Sequence, residues 1–258
     1  MSELPLAGVR VVVTRAEHQA GDLSAAFRQA GARVESLPLL ELAPPSDSRP
    51  LERAVSELAI HNWLVLTSPN AAEVVLEHAG GALPPGLRVA AVGERTAGIL
   101  RELGVEPALV AATSRAEGLA TALAPHVRRG SRILLPQAAD ARPLLAEALR
   151  QAGAEVTAVE AYRKRIPEAA PARARELFAH EPLGWVTFTS GSTARNFVTV
   201  LGELGDLWPA RRTELRAASL GPVTSADLRA LGIEPAAEAT RPEPQSLVEA
   251  VIRAQQAS

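Results

Sequence analysis

The chain has 258 residues, 47% hydrophobic and 22% charged, a soluble globular composition with apolar material for one large domain or two ordinary ones. A formal net charge of -2 supplies no basic face for nucleic acid, although an acidic small molecule in a locally basic pocket stays open. The absence of cysteine excludes disulfides, thiolate catalysis and cysteine-ligated metals, and no apolar run is long enough for a signal or a membrane span, so a cytoplasmic protein is expected.

In chain order, "RVVV" after Val9 reads as a strand, and an amphipathic helix is expected from about Glu17 to Ala30. "RVESLPL" from Arg33 is the next strand, Leu51 to Ile60 a helix, and "WLVL" from Trp63 another strand. The rhythm continues to the end, and strands alternating with helices predict parallel sheets built from right-handed βαβ units, an α/β fold. Proline-rich breaks at Glu41 to Pro50 and Arg165 to Ala174 each follow a strand-like segment and mark two crossings between domains.

The strand-to-helix junctions come in pairs. "WLVLTSPNAAEVV" from Trp63 is echoed 122 residues later by "WVTFTSGSTARNFV" from Trp185. The segments from Gly8 and Gly130 share the same offset of 122, whereas "VAAVGERTAGILRELGVEP" from Val89 matches "AASLGPVTSADLRALGIEP" from Ala217 at 128. The six extra residues fall in one loop region before Ala217. A period this long is not that of a solenoid; it reads as duplication of a half-protein into two similar lobes.

Each repeated junction lies where open α/β sheets bind ligands, at the carboxyl ends of parallel strands. Thr67-Ser68 and Thr189-Ser190 place a capping serine ahead of a helix, with Pro69 suited to the first helical position and Gly191 leaving the backbone bare. Gly93 and Gly221 stand at the next strand exits, with Thr96 and Thr224 one turn into the helix and their hydroxyls expected at the surface. Good capping alone explains any one of these turns; four of them, paired across two lobes, favour a cleft for an anionic ligand. "TRAE" from Thr14 fits a capping box, with Thr14 as cap and Glu17 reaching back, which leaves Arg15 at the ligand edge opposite Gln137 in the repeat.

The five histidines, His18, His61, His78, His126 and His180, lack metal spacing and are expected on surfaces. "GERTAG" is neither a P-loop nor a dinucleotide fingerprint. No Ser-His-Asp order or carboxylate pair emerges, so any chemistry here needs few acid-base groups.

The ordered set "VVVTRAEHQAGDLSAAFRQAGARVESLPLLEL", "VLTSPNAAEVV", "VAAVGERTAGILRELGVEP", "AEALRQAGAEVTAVEAYRK", "VTFTSGSTARNFV" and "SLGPVTSADLRALGIEP", from Val11 to Pro235, resembles the uroporphyrinogen-III synthase family. The resemblance implies two flavodoxin-like lobes with parallel sheets joined by a two-stranded β ladder, one lobe being discontinuous. Mapped here, lobe one is 1–38 with 168–258, lobe two is 43–162, and 39–42 and 163–167 connect them. It implies that linear hydroxymethylbilane loses its hydroxyl, its last pyrrole is inverted through a spiro intermediate, and the macrocycle closes as uroporphyrinogen III, with no cofactor and no metal. It also implies a functional tyrosine in "VEAYRKR", where Tyr162 is the only tyrosine of the chain. The expected substrate contacts are Arg15, Thr67, Ser68, Gly93, Thr96, Thr189, Ser190, Gly191 and Thr224. A monomer that binds neither nucleic acid nor membrane, in transient contact with the preceding pathway enzyme, completes this reading. A two-lobed binding or sensor protein for an acidic small molecule is the alternative.

Overall fold

The computed structural model describes residues 4–16, 20–113, 115–179, 184–205 and 212–257. The chain divides into a unit of residues 1–41 with 165–258 and a unit of residues 42–164. In the first, β1 (Arg10–Val13), β2 (Arg33–Ser36), β9 (Gly184–Phe188), β10 (Leu215–Ser219) and β11 (Pro235–Glu238) form a parallel sheet in the order β11-β10-β9-β1-β2. In the second, β3 (Glu41–Ala43), β4 (Trp63–Leu66), β5 (Arg88–Ala91), β6 (Leu109–Val110), β7 (Arg132–Ala138) and β8 (Glu155–Arg165) are ordered β3-β8-β7-β4-β5-β6. The two crossings of the chain between units fall on β3 and β8, which are neighbours in that sheet.

The duplication accounts for the topology. The strand that opens each repeat, β1 or β7, stands beside the next, β2 or β8, and β9-β10-β11 in the first unit correspond to β4-β5-β6 in the second. Numbered by position within the repeat, both sheets follow the flavodoxin-like order 2-1-3-4-5, with β3 added beyond β8 in the second, and each unit combines strands 1 and 2 of one repeat with strands 3 to 5 of the other. Ten helices occur among the described residues: α1 (Gly21–Gln29), α2 (Arg49–Ser56), α3 (Pro69–His78), α4 (Glu94–Glu102), α5 (Ala116–Leu123), α6 (Leu144–Gln151), α7 (Ala170–Ala179), α8 (Gly191–Gly202), α9 (Pro222–Ala230) and α10 (Pro244–Gln256). The repeat extends further than the motifs suggested, because Leu119 and Leu123 of α5 and Leu247 and Val251 of α10 are buried equivalents at the 128-residue offset.

Helices cover both faces of each sheet, which is why the central strands β1, β4 and β9 are apolar and buried without alternation. Val12 packs with Phe178, Phe188 and Phe197 on one face of the first sheet, while Val11 and Val13 meet Leu23, Phe27 and Trp185 on the other. In the second unit Leu64 and Leu66 face one core and Trp63 and Val65 the other. The duplicated tryptophans keep the same neighbour: the guanidinium of Arg88 lies 4.2 Å from the Trp63 ring and that of Arg216 lies 4.3 Å from the Trp185 ring. Their indole nitrogens differ. Trp185 Nε1 donates to Gln255 Oε1 at 2.9 Å, whereas buried Trp63 Nε1 has no hydrogen-bond partner among the described residues. Gly184, at φ +61°, opens β9 so close to β1 that a Cβ there would lie 2.8 Å from the Arg10 carbonyl oxygen.

Several sequence expectations are corrected. The first helix among the described residues runs over Gly21–Gln29, and Ala20 at its start makes no side-chain cap. Thr14 is no capping residue, because it is fully buried and its hydroxyl donates to the Thr187 carbonyl across the sheet at 2.6 Å. Glu17 and His18 lie outside the described residues, as do His180 and residues 206–211. The second helix runs over Arg49–Ser56, followed by a separate 3₁₀ turn at Leu58–Ile60. His61 is 7% exposed instead of superficial, and burial pushes its pKa below the usual histidine value.

Candidate functional site

At the carboxyl edge of the second unit, Ser68 has the extended backbone of a helix cap and its Oγ accepts from the Ala71 N–H at 3.1 Å. The same oxygen lies 3.1 Å from Tyr162 Oη. Two residues singled out on separate grounds thus form one hydroxyl pair, although 94 positions apart in sequence. The pair depends on a β-bulge. Gln137 aligns with Glu160 but Ala138 aligns with Tyr162, so the register slips by one residue. The slip turns Tyr162 onto the face that already carries Val159 and Ala161, and all three belong to one core. Tyr162 is 6% exposed, with its ring packed and its hydroxyl bound to Ser68. Thr67 lies half-buried beside the pair, and Gly93 caps α4 with an extended backbone.

In the first unit, Ser190 caps α8 as Ser68 caps α3, its Oγ accepting from the Thr193 N–H at 3.3 Å. Thr189 precedes it at the exit of β9. Gly191 does not leave a bare surface for a ligand. It is buried, and a Cβ there would fall 1.7 Å from Asp227 Oδ2, so close packing of α8 on α9 explains the glycine. Arg15 is half-buried in the bend that follows β1 and is engaged with a neighbour.

Thr96 and Thr224 are also corrected. They are 2% and 6% exposed, because a side chain in the first helical turn leans back toward the N-terminus, over the strand exit. Neither hydroxyl has a hydrogen-bond partner among the described residues, and neither is wholly sealed from solvent. Shape and hydrogen bonding are therefore separable here. Thr96→Val or Thr224→Val preserves the buried methyl and volume, so the melting temperature should stay within a few degrees while turnover falls several-fold, whereas Thr→Ala also loses about 1 kcal/mol of burial. Thermal melts with initial rates check this, and unchanged turnover in both valine variants assigns the threonines to packing.

The sequence reading missed two features of this edge. In the first unit, buried Ser225 lies 2.6 Å from Ser219 Oγ and donates to Glu238, a chain replaced in the second unit by Ala97, Ala91 and Val110 at the 128-residue offset. In the second, a concavity of about 450 Å³ opens where the sheet changes direction between β7 and β4, with Arg115 and Arg142 at its rim. "SRAE" from Ser114, an echo of "TRAE" from Thr14, was the available sign of the first arginine. No group of three or more histidine, aspartate or glutamate side chains suited to a metal occurs among the described residues, and no described helix is long and apolar enough to cross a membrane.

Comparison with known proteins agrees with this geometry. Residues 21–249 match the family model described as uroporphyrinogen-III synthase HemD. Over 87% of each chain, the sequence is 35% identical to the uroporphyrinogen-III synthase of Synechococcus elongatus. It is 27% identical to that of Chlorobaculum parvum, over 87% of this chain and 90% of the relative. The crystal structure of a mutant uroporphyrinogen III synthase from the extremely thermophilic bacterium Thermus thermophilus superposes with a TM-score of 0.65 at 20% identity, covering 97% of this chain and 100% of that one, a likeness of fold.

Proposed function

The chain belongs to the uroporphyrinogen-III synthase family, and from that premise we propose that it is a lyase of porphyrin biosynthesis that closes linear hydroxymethylbilane to uroporphyrinogen III with inversion of the last pyrrole. The family match over residues 21–249 carries this reading. The substrate is a flexible chain of four pyrroles with eight carboxylates, and it closes unaided to the unrotated isomer. The catalytic task is therefore chiefly positioning and preorganised hydrogen bonding, which needs few acid-base groups.

The substrate's hydroxyl leaves as water, so a proton must reach the departing oxygen. We assign its delivery to Tyr162, a phenolic donor. Ser68 has one hydroxyl proton and two lone pairs; accepting from the Ala71 N–H, it can still donate to Tyr162 Oη and leave the phenol proton for the substrate. Arg15, with the turns at Thr67-Ser68, Gly93-Thr96, Thr189-Ser190 and Thr224, is assigned to substrate binding. We take the protein to act as a cytoplasmic monomer that meets the preceding pathway enzyme transiently. The deciding experiment is incubation with hydroxymethylbilane and chromatography of the oxidised porphyrins. Excess type III over the spontaneous type I product supports the reading, and an unaltered spontaneous mixture returns the protein to the class of binding proteins.

A further inference from the structure

In doubly wound sheets the ligand crevice opens where strand order reverses, outside the carboxyl ends of the strands. In the second unit that point lies between β7 and β4, and the concavity there is lined by Gln137 from β7, Thr67 after β4, Val92 after β5, Arg115 and Glu117 at the start of α5, and Arg142 ahead of α6. Both arginine side chains are exposed and have neither an ion pair nor a hydrogen bond among the described residues; Arg115 bonds only through its backbone, its N–H donating to the Thr113 carbonyl and its carbonyl accepting from the Leu119 N–H. Elsewhere on the same unit, Arg101 is tied to Glu94 and Glu106, and Arg53 to Glu57.

The duplication supplies an internal comparison. The concavity at the carboxyl edge of the first unit, about 280 Å³, is lined by Thr189, Leu220, Pro222, Val223 and Pro242, and its arginine, Arg241, lies 3.7 Å from Glu243. Thr67 and Thr189 are equivalent in the repeat, as are Val92 and Leu220. At the repeat equivalents of Arg115 and Arg142 the first unit has Glu243 and Ala20, and at that of Gln137 it has Arg15, so the two edges carry their cations at different positions.

We propose that the concavity of the second unit is a carboxylate subsite, in which Arg115 and Arg142 hold one acidic side chain of the substrate. The assignment rests on the function proposed above. Glu117 offsets one of the two positive charges, so the lining matches a single carboxylate. Guanidinium groups suit this role because their planar donors meet a carboxylate in bidentate fashion. The subsite holds a part of the substrate remote from the bond changes, so it acts equally on ground and transition states, and its loss should appear in KM.

The test compares R115A, R142A, the double variant and E117Q in steady-state kinetics with hydroxymethylbilane, beside fluorescence titration with uroporphyrin III as a non-reacting octacarboxylate. Each single arginine variant should raise KM and the uroporphyrin dissociation constant about five- to tenfold, with kcat retained and the effect shrinking at high salt. E117Q should lower both constants. Unchanged KM and uroporphyrin affinity in the double variant, or a salt-independent loss confined to kcat, overturns the subsite. Failure of the wild-type protein to form the type III isomer overturns the enzyme reading instead. In that case the titration still decides the subsite, since arginine-dependent binding of uroporphyrin upholds it and arginine-independent binding ends it.

Discussion

Tyr162→Phe should fold as the wild type does and lose at least several-fold, and up to roughly a hundredfold, of its rate of type III formation, the range expected for removal of a positioned general acid. The substitution keeps the buried ring and removes only the hydroxyl that meets Ser68 Oγ at 3.1 Å. One hydrogen bond is worth about 1 kcal/mol, small against the roughly 5–15 kcal/mol that stabilises a domain, so the variant stays folded at assay temperature. Slowed catalysis leaves free hydroxymethylbilane to close unaided, and the type I product should accumulate in proportion. Ser68→Ala serves as the companion. It removes the partner of the phenol and also the cap on α3, so it should combine a smaller loss of rate with about 1 kcal/mol of lost stability. Rate and isomer ratio are read together by chromatography of the oxidised porphyrins, and a wild-type ratio at a wild-type rate removes Tyr162 from the mechanism.

That pair also marks where sequence reading stops. Ser68 was legible because Thr-Ser-Pro after a buried strand is a strand exit followed by a cap and a helix start, and all three occur as read. Its contact with Tyr162 was not legible. In "EVTAVEAYRKR" simple alternation sends Tyr162 to the face opposite Val159 and Ala161, and only the slip in register against β7 brings them together. No residue in that run announces a bulge. Thr96 and Thr224 illustrate a second limit: their place in the first helical turn could be read, but their burial depends on how each helix lies on its sheet. Gly191 illustrates a third, since a glycine at a helix start has the same local signature whether it admits a ligand or the side chain of Asp227. The duplication was the most readable feature because it is long, ordered and independent of any single residue. It yields the shared 2-1-3-4-5 order of the two sheets, whereas the exchange of strands between repeats depends on contacts distant in sequence.

The largest stability effect should come from Phe197→Ala. All four phenylalanines lie in the first unit, and Phe197 is fully buried on α8 with edge-on contacts to Phe188 at 5.1 Å and Phe178 at 6.0 Å. The second unit has no phenylalanine and is packed with leucine, valine and alanine. Deleting a buried phenyl ring costs about 3–5 kcal/mol in lost transfer energy and cavity formation, a large part of what holds a domain together. Among the described residues, each core cluster lies within a single unit, so each unit should melt as its own cooperative body. Calorimetry of the wild type should then resolve two transitions, and Phe197→Ala should lower one of them by on the order of 10 °C while leaving the other in place. Loss of activity on heating should follow the lowered transition, because α8 carries the Thr189-Ser190 turn at its start. The contrast with the arginine variants is direct. Arg115 and Arg142 are exposed and their side chains have no partner among the described residues, so their removal should alter KM without moving either transition, whereas loss of Phe197 should move a transition while leaving KM near the wild-type value well below it. A single transition that falls as a whole in Phe197→Ala would show instead that the two cores unfold as one body.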